Sequence, residues 1–271
     1  MQKADYGIDA PGVIRNLFVC GGILLAALVL GPPRAGPFHI GGASVTLELR
    51  GMFAGGAISC LLGGAFMILY AEVGKFRHRD RMLAMIPWTG AENVLDVGTG
   101  RGLLAIGAAK RLTTGRVVGI DIWNAADLTG NTADGFLANA EIEGVAERVE
   151  VRNADARRMP FPDGSFEVVL SNVCLHNIAD ARGRAEACRE IGRVLRPGGV
   201  ALISDFRETA FYATAFREAD FDVDRSGLGL FDTYPPMRIV RAKKRPESVS
   251  ALPVEVTTRR TGTEKQSFSS R

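Results

Sequence analysis

Two long stretches near the start of the chain contain no Lys, Arg, Asp or Glu, and few folds can place both. Asn16–Pro33 is one, with Leu17–Leu30 as its apolar centre, and Gly51–Ala71 is the other. Residues 1–71 hold only Lys3, Asp5, Asp9, Arg15, Arg34, Glu48 and Arg50 as charges. A helix that crosses a bilayer needs about 20 residues, with a range of roughly 17–25. The second stretch meets this length and the first lies at its short end. A signal peptide would also place Lys3 and Arg15 before an apolar run, but Gly31-Pro32-Pro33-Arg34 is a poor cleavage site. The glycines of 51–71 would each weaken a helix in water by about 1 kcal/mol relative to Ala. Membrane helices use such residues for close packing, and Gly56, Cys60 and Gly64 fall at i, i+4 and i+8. The pattern predicts an anchor over 1–71 with membrane helices at about 14–33 and 51–71. The small-residue stripe would pack the two helices together or pair two chains as a homodimer.

Basic residues set the expected orientation. Lys75, Arg77, Arg79 and Arg81 follow the second span, against Arg34 and Arg50 between the spans. By the positive-inside bias, both termini face the cytoplasm at the cell membrane and the loop between the spans faces outward. The alternative for Lys75–Arg81 is the solvated face of the next helix.

Composition narrows the remaining classes. Across 271 residues, 33 basic side chains nearly balance 30 acidic ones for a net charge of +3, so nucleic acid is not an expected partner. Four scattered cysteines and three distant histidines form no disulfide framework and no metal motif.

From about residue 72 to 245 the chain alternates strand-like and helix-like segments. Expected strands are Asn93–Val97, Val117–Ile120, Arg148–Arg152, Phe166–Ser171, Val200–Asp205, Phe221–Arg225 and Met237–Ala242. Expected helices are Leu103–Leu112, Thr129–Glu143, Ala181–Leu195 and Thr209–Ala219, the third stopped by Arg196-Pro197-Gly198-Gly199. Such alternation predicts a mostly parallel α/β sheet covered on both faces, with its ligand at the carboxyl ends of the strands. Residues 246–271 are rich in Ser, Thr and charge and are expected to be a disordered tail.

Three acids fall at three successive strand ends. Asp96 opens Asp96-Val-Gly98-Thr99-Gly100-Arg101-Gly102, a strand-to-helix turn whose third glycine comes one residue early for a dinucleotide fingerprint. That spacing suits a nucleoside carrying an amino acid. Asp121 follows the second strand, where a carboxylate accepts from both ribose hydroxyls; its alternative role is a helix cap. Asp155 and Ala156 follow the third strand, where a carboxylate and a backbone N–H suit an adenine edge; the alternative is a solvated turn.

The segments VLDVGTGRG (94–102), GIDIW (119–123), NADARRMPFPDGSFEVVLSNVCLHNI (153–178) and RVLRPGGVALISDF (193–206) resemble the class I S-adenosylmethionine-dependent methyltransferases. The likeness is greatest to the branch of the ubiquinone and menaquinone biosynthesis methyltransferases, and it covers about 170 residues in order and spacing. It implies a Rossmann-like seven-stranded sheet with the last strand antiparallel, and S-adenosylmethionine as cofactor. It also implies site roles: Asp96, Gly98, Thr99, Gly100 and Gly102 at the methionine end, Asp121 with Ile122 at the ribose, Asp155 with Ala156 at the adenine, and Ser171 and Asn172 near the methyl group.

Methyl transfer from a sulfonium is an in-line displacement, so orientation dominates, and an acceptor that carries a proton also needs a base. His176, in the loop after the fourth strand, is the candidate base beside Asn172; packing is its alternative role. Cys174 and Cys188 read as small buried apolar residues. Trp123 belongs near the adenine or in the core, and Phe231 with Tyr234-Pro235-Pro236 in the acceptor pocket or in a rigid loop. The expected activity is methyl transfer to a small, membrane-soluble acceptor, quinone-like or lipid. The alternative is a membrane-tethered S-adenosylmethionine-binding module without turnover.

Overall fold

A computed structural model describes residues 3–229 and 232–246. Phe231 and all but the first residue of the expected tail lie outside them.

Helix α1 (Pro11–Leu30) starts with proline at its first position, where no N–H is needed, and stops before Pro32-Pro33. It begins three residues earlier than the expected span. The connection to α2 (Leu49–Leu69) is an antiparallel hairpin of β1 (Arg34–Ile40) and β2 (Ala43–Glu48), which the sequence reading did not foresee. A Cβ on Gly21 would lie 2.8 Å from Leu61, on Gly56 3.0 Å from Leu24, and on Gly64 2.9 Å from Phe18. The small-residue stripe is thus used within the chain, against α1, and is not a free face for a second copy. Ile23, Val29, Met52 and Ile58 point outward, each more than half exposed. Both helices are long and apolar enough to cross a membrane.

No linker follows α2. A π turn at Tyr70–Gly74 joins it directly to α3 (Lys75–Ala84), and the Lys75 N–H donates to the Tyr70 carbonyl, five residues back. In an α-helix, residues five apart point about 140° away from each other; the wider π turn puts Tyr70 and Lys75 on one side. Lys75 and His78 are buried (3% and 1% exposed), so one of the four basic residues expected at the membrane surface, Lys75, is internal.

The rest is a seven-stranded sheet: β3 (Asn93–Val97), β4 (Arg116–Asp121), β5 (Val149–Asn153), β6 (Phe166–Asn172), β7 (Leu195–Asp205), β8 (Phe221–Arg225) and β9 (Arg238–Lys244), in the order β5-β4-β3-β6-β7-β9-β8. All pairings are parallel except those of β9, which runs antiparallel to β7 and β8. β7 begins at once after helix Ala181–Val194 and runs through the Arg196-Pro197-Gly198-Gly199 stop, because Leu195 already pairs with Phe166. The register then shifts before Val168 meets Val200.

Alternate residues of β3 feed two cores. Leu95 and Val97 join the cluster under α6 (Ala181–Val194) and α7 (Thr209–Glu218), with Ile191, Tyr212 and Phe216. Val94 joins the cluster under α3, α4 (Leu103–Ala109) and α5 (Ala133–Ile142), with Met82, Ile106 and Phe136. Asp96 shares the parity of Val94 and so faces α4. Thr132 and Asp180 cap α5 and α6 by accepting from Gly135 and Gly183 N–H at 3.0 and 2.7 Å.

His78 sits between α3 and the sheet. Its Nε2 is 2.6 Å from Ser204 Oγ, its Nδ1 is 3.2 Å from Arg81, and Arg81 pairs with Asp232 at 3.0 Å. Burial, with Arg81 beside it, pushes its pKa down to about 4. Between pH 6.5 and 4 the unfolded chain therefore binds a proton that the folded chain does not. Stability falls over that window as pH drops, by on the order of 3 kcal/mol in all. Denaturant midpoints measured across it should show this slope, and His78→Gln should flatten it.

Candidate active site

A cavity of about 860 Å³ opens at the carboxyl ends of β3, β4 and β6, on either side of the point where strand order reverses. Its volume lies in the usual range for small-molecule sites, roughly 300–1,000 Å³.

The floor is the loop after β3. Asp96 is 2% exposed, and its Oδ2 accepts from the Thr99 hydroxyl at 2.8 Å and the Ala105 N–H at 3.0 Å. Burial pushes its pKa up to about 7, against the pull of those two donors. Gly98 and Gly100 have φ of +74° and +53°, and a Cβ on Gly98 would lie 2.2 Å from Cys174 Sγ. Glycine is required there by conformation and by space. Gly102 (φ +87°) does not line the cavity; its Cβ would strike Phe136 at 2.8 Å, so it lets α5 approach.

Asp121 stands at the end of β4, opposite Asn153 of β5. Its Oδ2 accepts from the Gly100 N–H at 2.8 Å and its Oδ1 from the Trp123 N–H at 2.7 Å. The carboxylate therefore ties the glycine loop to its own strand and retains lone pairs toward the cavity. Ile122 lines the same wall and is 64% exposed, whereas Trp123 does not line the cavity. Asp155 and Ala156 line it too, but Asp155 is committed to its own turn. It accepts from the Arg157 backbone at 2.8 Å and pairs with the Arg157 guanidinium at 2.6 Å, which holds its carboxyl below the usual range. Any ligand contact at Asp155 is shared with that pair.

The loop after β6 supplies the opposite wall. Asn172, Cys174 and His176 line the cavity. Ser171 does not: its hydroxyl donates to the Val97 carbonyl at 2.9 Å and holds β6 to β3. Cys188 is a core residue, its thiol pushed up to about 12 by burial. His176 is 8% exposed, and its Nδ1 lies 2.9 Å from Oδ1 of Asp205, which is buried at the end of β7. Asp205 also accepts from the His176 N–H at 3.3 Å and the Phe206 N–H at 2.8 Å. A carboxylate on Nδ1 fixes the tautomer and leaves Nε2 as the free ring nitrogen. Asp205 had a sequence signal, an acid at the end of the fifth strand, and still went unremarked.

The wall that sequence reasoning missed comes from the N-terminus. Residues 5–10 form a strap across α5 and the loop before it. Ala10 N–H donates to the Asp127 carbonyl at 2.8 Å, Thr129 N–H to Ile8 at 3.1 Å, and Asp5 N–H to Asn139 Oδ1 at 2.9 Å. Lys75 Nζ donates to the Tyr6 carbonyl at 3.0 Å and to that of Gly7, and lies 3.8 Å from Asp9. Burial raises the Asp9 pKa and lowers that of Lys75. Asp9, Tyr70, Tyr234 and Pro235 line the cavity, with Val13 and Leu17 of α1 and Met67 of α2.

Among the described residues, the buried side-chain polar atoms without a partner are Asp9 Oδ2, Tyr70 Oη, Asn131 Oδ1, Asn172 Oδ1 and Arg184 Nε; all but Arg184 belong to residues lining this cavity. An unpaired buried group costs about 1–3 kcal/mol. The glycine loop and Asp121 fit S-adenosylmethionine, and the clustered unpaired atoms call for further polar ligand groups in the same cavity.

Residues 95–203 match the family model described as a methyltransferase domain. The 27-O-demethylrifamycin SV methyltransferase of Amycolatopsis mediterranei is 33% identical over 135 residues, 50% of this chain and 46% of its own length. The demethylmenaquinone methyltransferase of Thermus thermophilus is 34% identical over 132 residues, 48% of this chain and 54% of its own. The chain thus spans about half the length of these relatives. Geranyl diphosphate C-methyltransferase from Streptomyces coelicolor, solved with S-adenosyl-L-homocysteine bound, shares the fold at a TM-score of 0.51 and 16% identity, over 62% of this chain and 80% of that one.

Proposed function

We propose that this chain, which contains a methyltransferase domain of the class I fold, transfers the methyl group of S-adenosylmethionine to a lipid-soluble acceptor, and that α1 and α2 hold it in the cell membrane with residues 72–245 in the cytoplasm. The observation that carries this is one cavity lined both by the strand-end acids Asp96 and Asp121 and by Val13, Leu17 and Met67 from the apolar helices. Relatives named as demethylmenaquinone methyltransferases support an acceptor of quinone type.

S-adenosylmethionine, when bound, supplies an electrophilic methyl group on a sulfonium. The chain's own residues do the rest. Asp121 would receive the ribose hydroxyls, and the Gly98–Gly100 backbone would hold the methionine portion. Ionised Asp96, beneath the loop, would favour the cation. His176 Nε2 takes the acceptor's proton, and the buried Asp205 stabilises the imidazolium that results. The enclosing strap and helix ends exclude water from the reacting atoms.

The test uses the full chain in phosphatidylcholine nanodiscs, methyl-tritiated S-adenosylmethionine and a bacterial lipid extract. Tritium is expected in the solvent-extracted lipid fraction. Label only in water-soluble material would overturn the lipid acceptor. Cofactor binding with no transfer to either fraction would leave a binding module without turnover.

A further inference from the structure

The cavity extends past the expected cofactor residues. Tyr70, at the start of the π turn, is 6% exposed and its hydroxyl has no partner. Asp9 Oδ2 and Asn172 Oδ1 line the same cavity and also have no hydrogen-bond partner, Lys75 Nζ standing 3.8 Å from Asp9 Oδ2. Asn172 Oδ1 and an ionised Asp9 accept, and the phenol can act as either. A ligand hydroxyl can donate to one of the acceptors and accept from the phenol. Beside them the lining turns apolar: Val13 and Leu17 from the first turns of α1, and Met67 from the last turn of α2. These are the ends of the two helices with the length and apolarity to cross a membrane, so under the proposed anchoring the apolar side of the cavity faces the bilayer.

We propose that Tyr70, Asp9 and Asn172 form a head-group subsite for a hydroxyl-bearing amphiphile, whose apolar chain leaves between Leu17 of α1 and Met67 of α2 toward the bilayer. The inference deepens the lipid-acceptor reading and rests on it. The membrane helices are then part of the acceptor site, and the acceptor enters sideways from the membrane without crossing water. Tyr70 is a positioning residue that selects a ligand bearing a hydroxyl. Its placement depends on the π turn, which sets Tyr70 on the cavity side together with Lys75, and Lys75 in turn fixes the strap that carries Asp9.

The probe is 4-dodecyl-2-fluorophenol, titrated into nanodiscs containing the full chain saturated with S-adenosylhomocysteine and followed by fluorine NMR. S-adenosylhomocysteine affinity is measured separately by calorimetry, and the titration is repeated without it. Wild type should give a saturable bound signal at one probe per chain. Tyr70→Phe should weaken the probe about tenfold while leaving S-adenosylhomocysteine affinity within about twofold. The pair Leu17→Trp and Met67→Trp, which fills the chain's exit, should abolish the bound signal with cofactor affinity retained as the check on folding. Three results would overturn the proposal: no saturable signal, a Tyr70→Phe loss that falls equally on S-adenosylhomocysteine, or probe binding that survives the tryptophan pair. Failure of wild type to bind S-adenosylhomocysteine would instead sink the methyltransferase reading, and the titration without it would still report on the subsite.

Discussion

Replacing His176 by Gln lowers the methyl-transfer rate at saturating cofactor by about 10²–10⁴-fold, the usual contribution of a positioned general base. Glutamine keeps a donor near Asp205 but has no basic nitrogen to face the acceptor. Asp205→Asn separates the dyad from simple packing. Its amide presents a donor as readily as an acceptor to Nδ1, and the tautomer with Nε2 free is no longer enforced. The backbone N–H groups of His176 and Phe206 bond to Oδ2 and Oδ1 at 3.3 and 2.8 Å, so the amide's single oxygen keeps one of the two. The expected result is a large fall in kcat with little change in cofactor Kd. The check is single-turnover transfer of labelled methyl, in which wild type should outpace His176→Gln by about 10²–10⁴-fold. A variant that keeps more than a tenth of the wild-type rate would return His176 to a packing role.

The second large effect is expected at Asp121. Asp121→Ala removes the carboxylate that faces the expected ribose and leaves the Gly100 and Trp123 N–H groups without their acceptor. A charged hydrogen-bond acceptor contributes about 1.5–3 kcal/mol, so S-adenosylmethionine affinity should fall roughly 10–150-fold. Calorimetry on the full chain measures this directly. Asp121→Asn should recover part of the loss, because one oxygen remains to accept from Gly100. If Asp121→Ala bound the cofactor as wild type does, the carboxylate would be only a loop fastener.

The sheet was readable because each strand of the parallel core is a short branched run ended by a polar or glycine-rich turn, and period and punctuation agree at β3, β4 and β6. Asp96, Asp121, Asn172 and His176 followed, since strand ends converge once the sheet is granted. Spacing cannot tell a residue that lines the cavity from one that faces a neighbouring element: Ser171 bonds to Val97 and Gly102 lies against Phe136. The strap at 5–10 has no periodicity and makes its tertiary bonds to residues nearly seventy or more positions away, so nothing local announces it. The place of Tyr70 depends on a π turn, and a helical pattern read at 3.6 residues per turn points it elsewhere.

The two attachments of the catalytic domain to the apolar hairpin have a mechanical meaning. Ala10 is bonded to the Asp127 loop and Pro11 already begins α1, while α2 passes into α3 without a break. A domain on one flexible tether tumbles; a domain gripped at two points keeps only a hinge about the line between them. In a bilayer, the tilt of the hairpin adjusts to the hydrocarbon thickness. Under the proposed anchoring, Leu17 and Met67 would move with that tilt, and because both line the cavity the thickness of the surrounding membrane would become an input to its width.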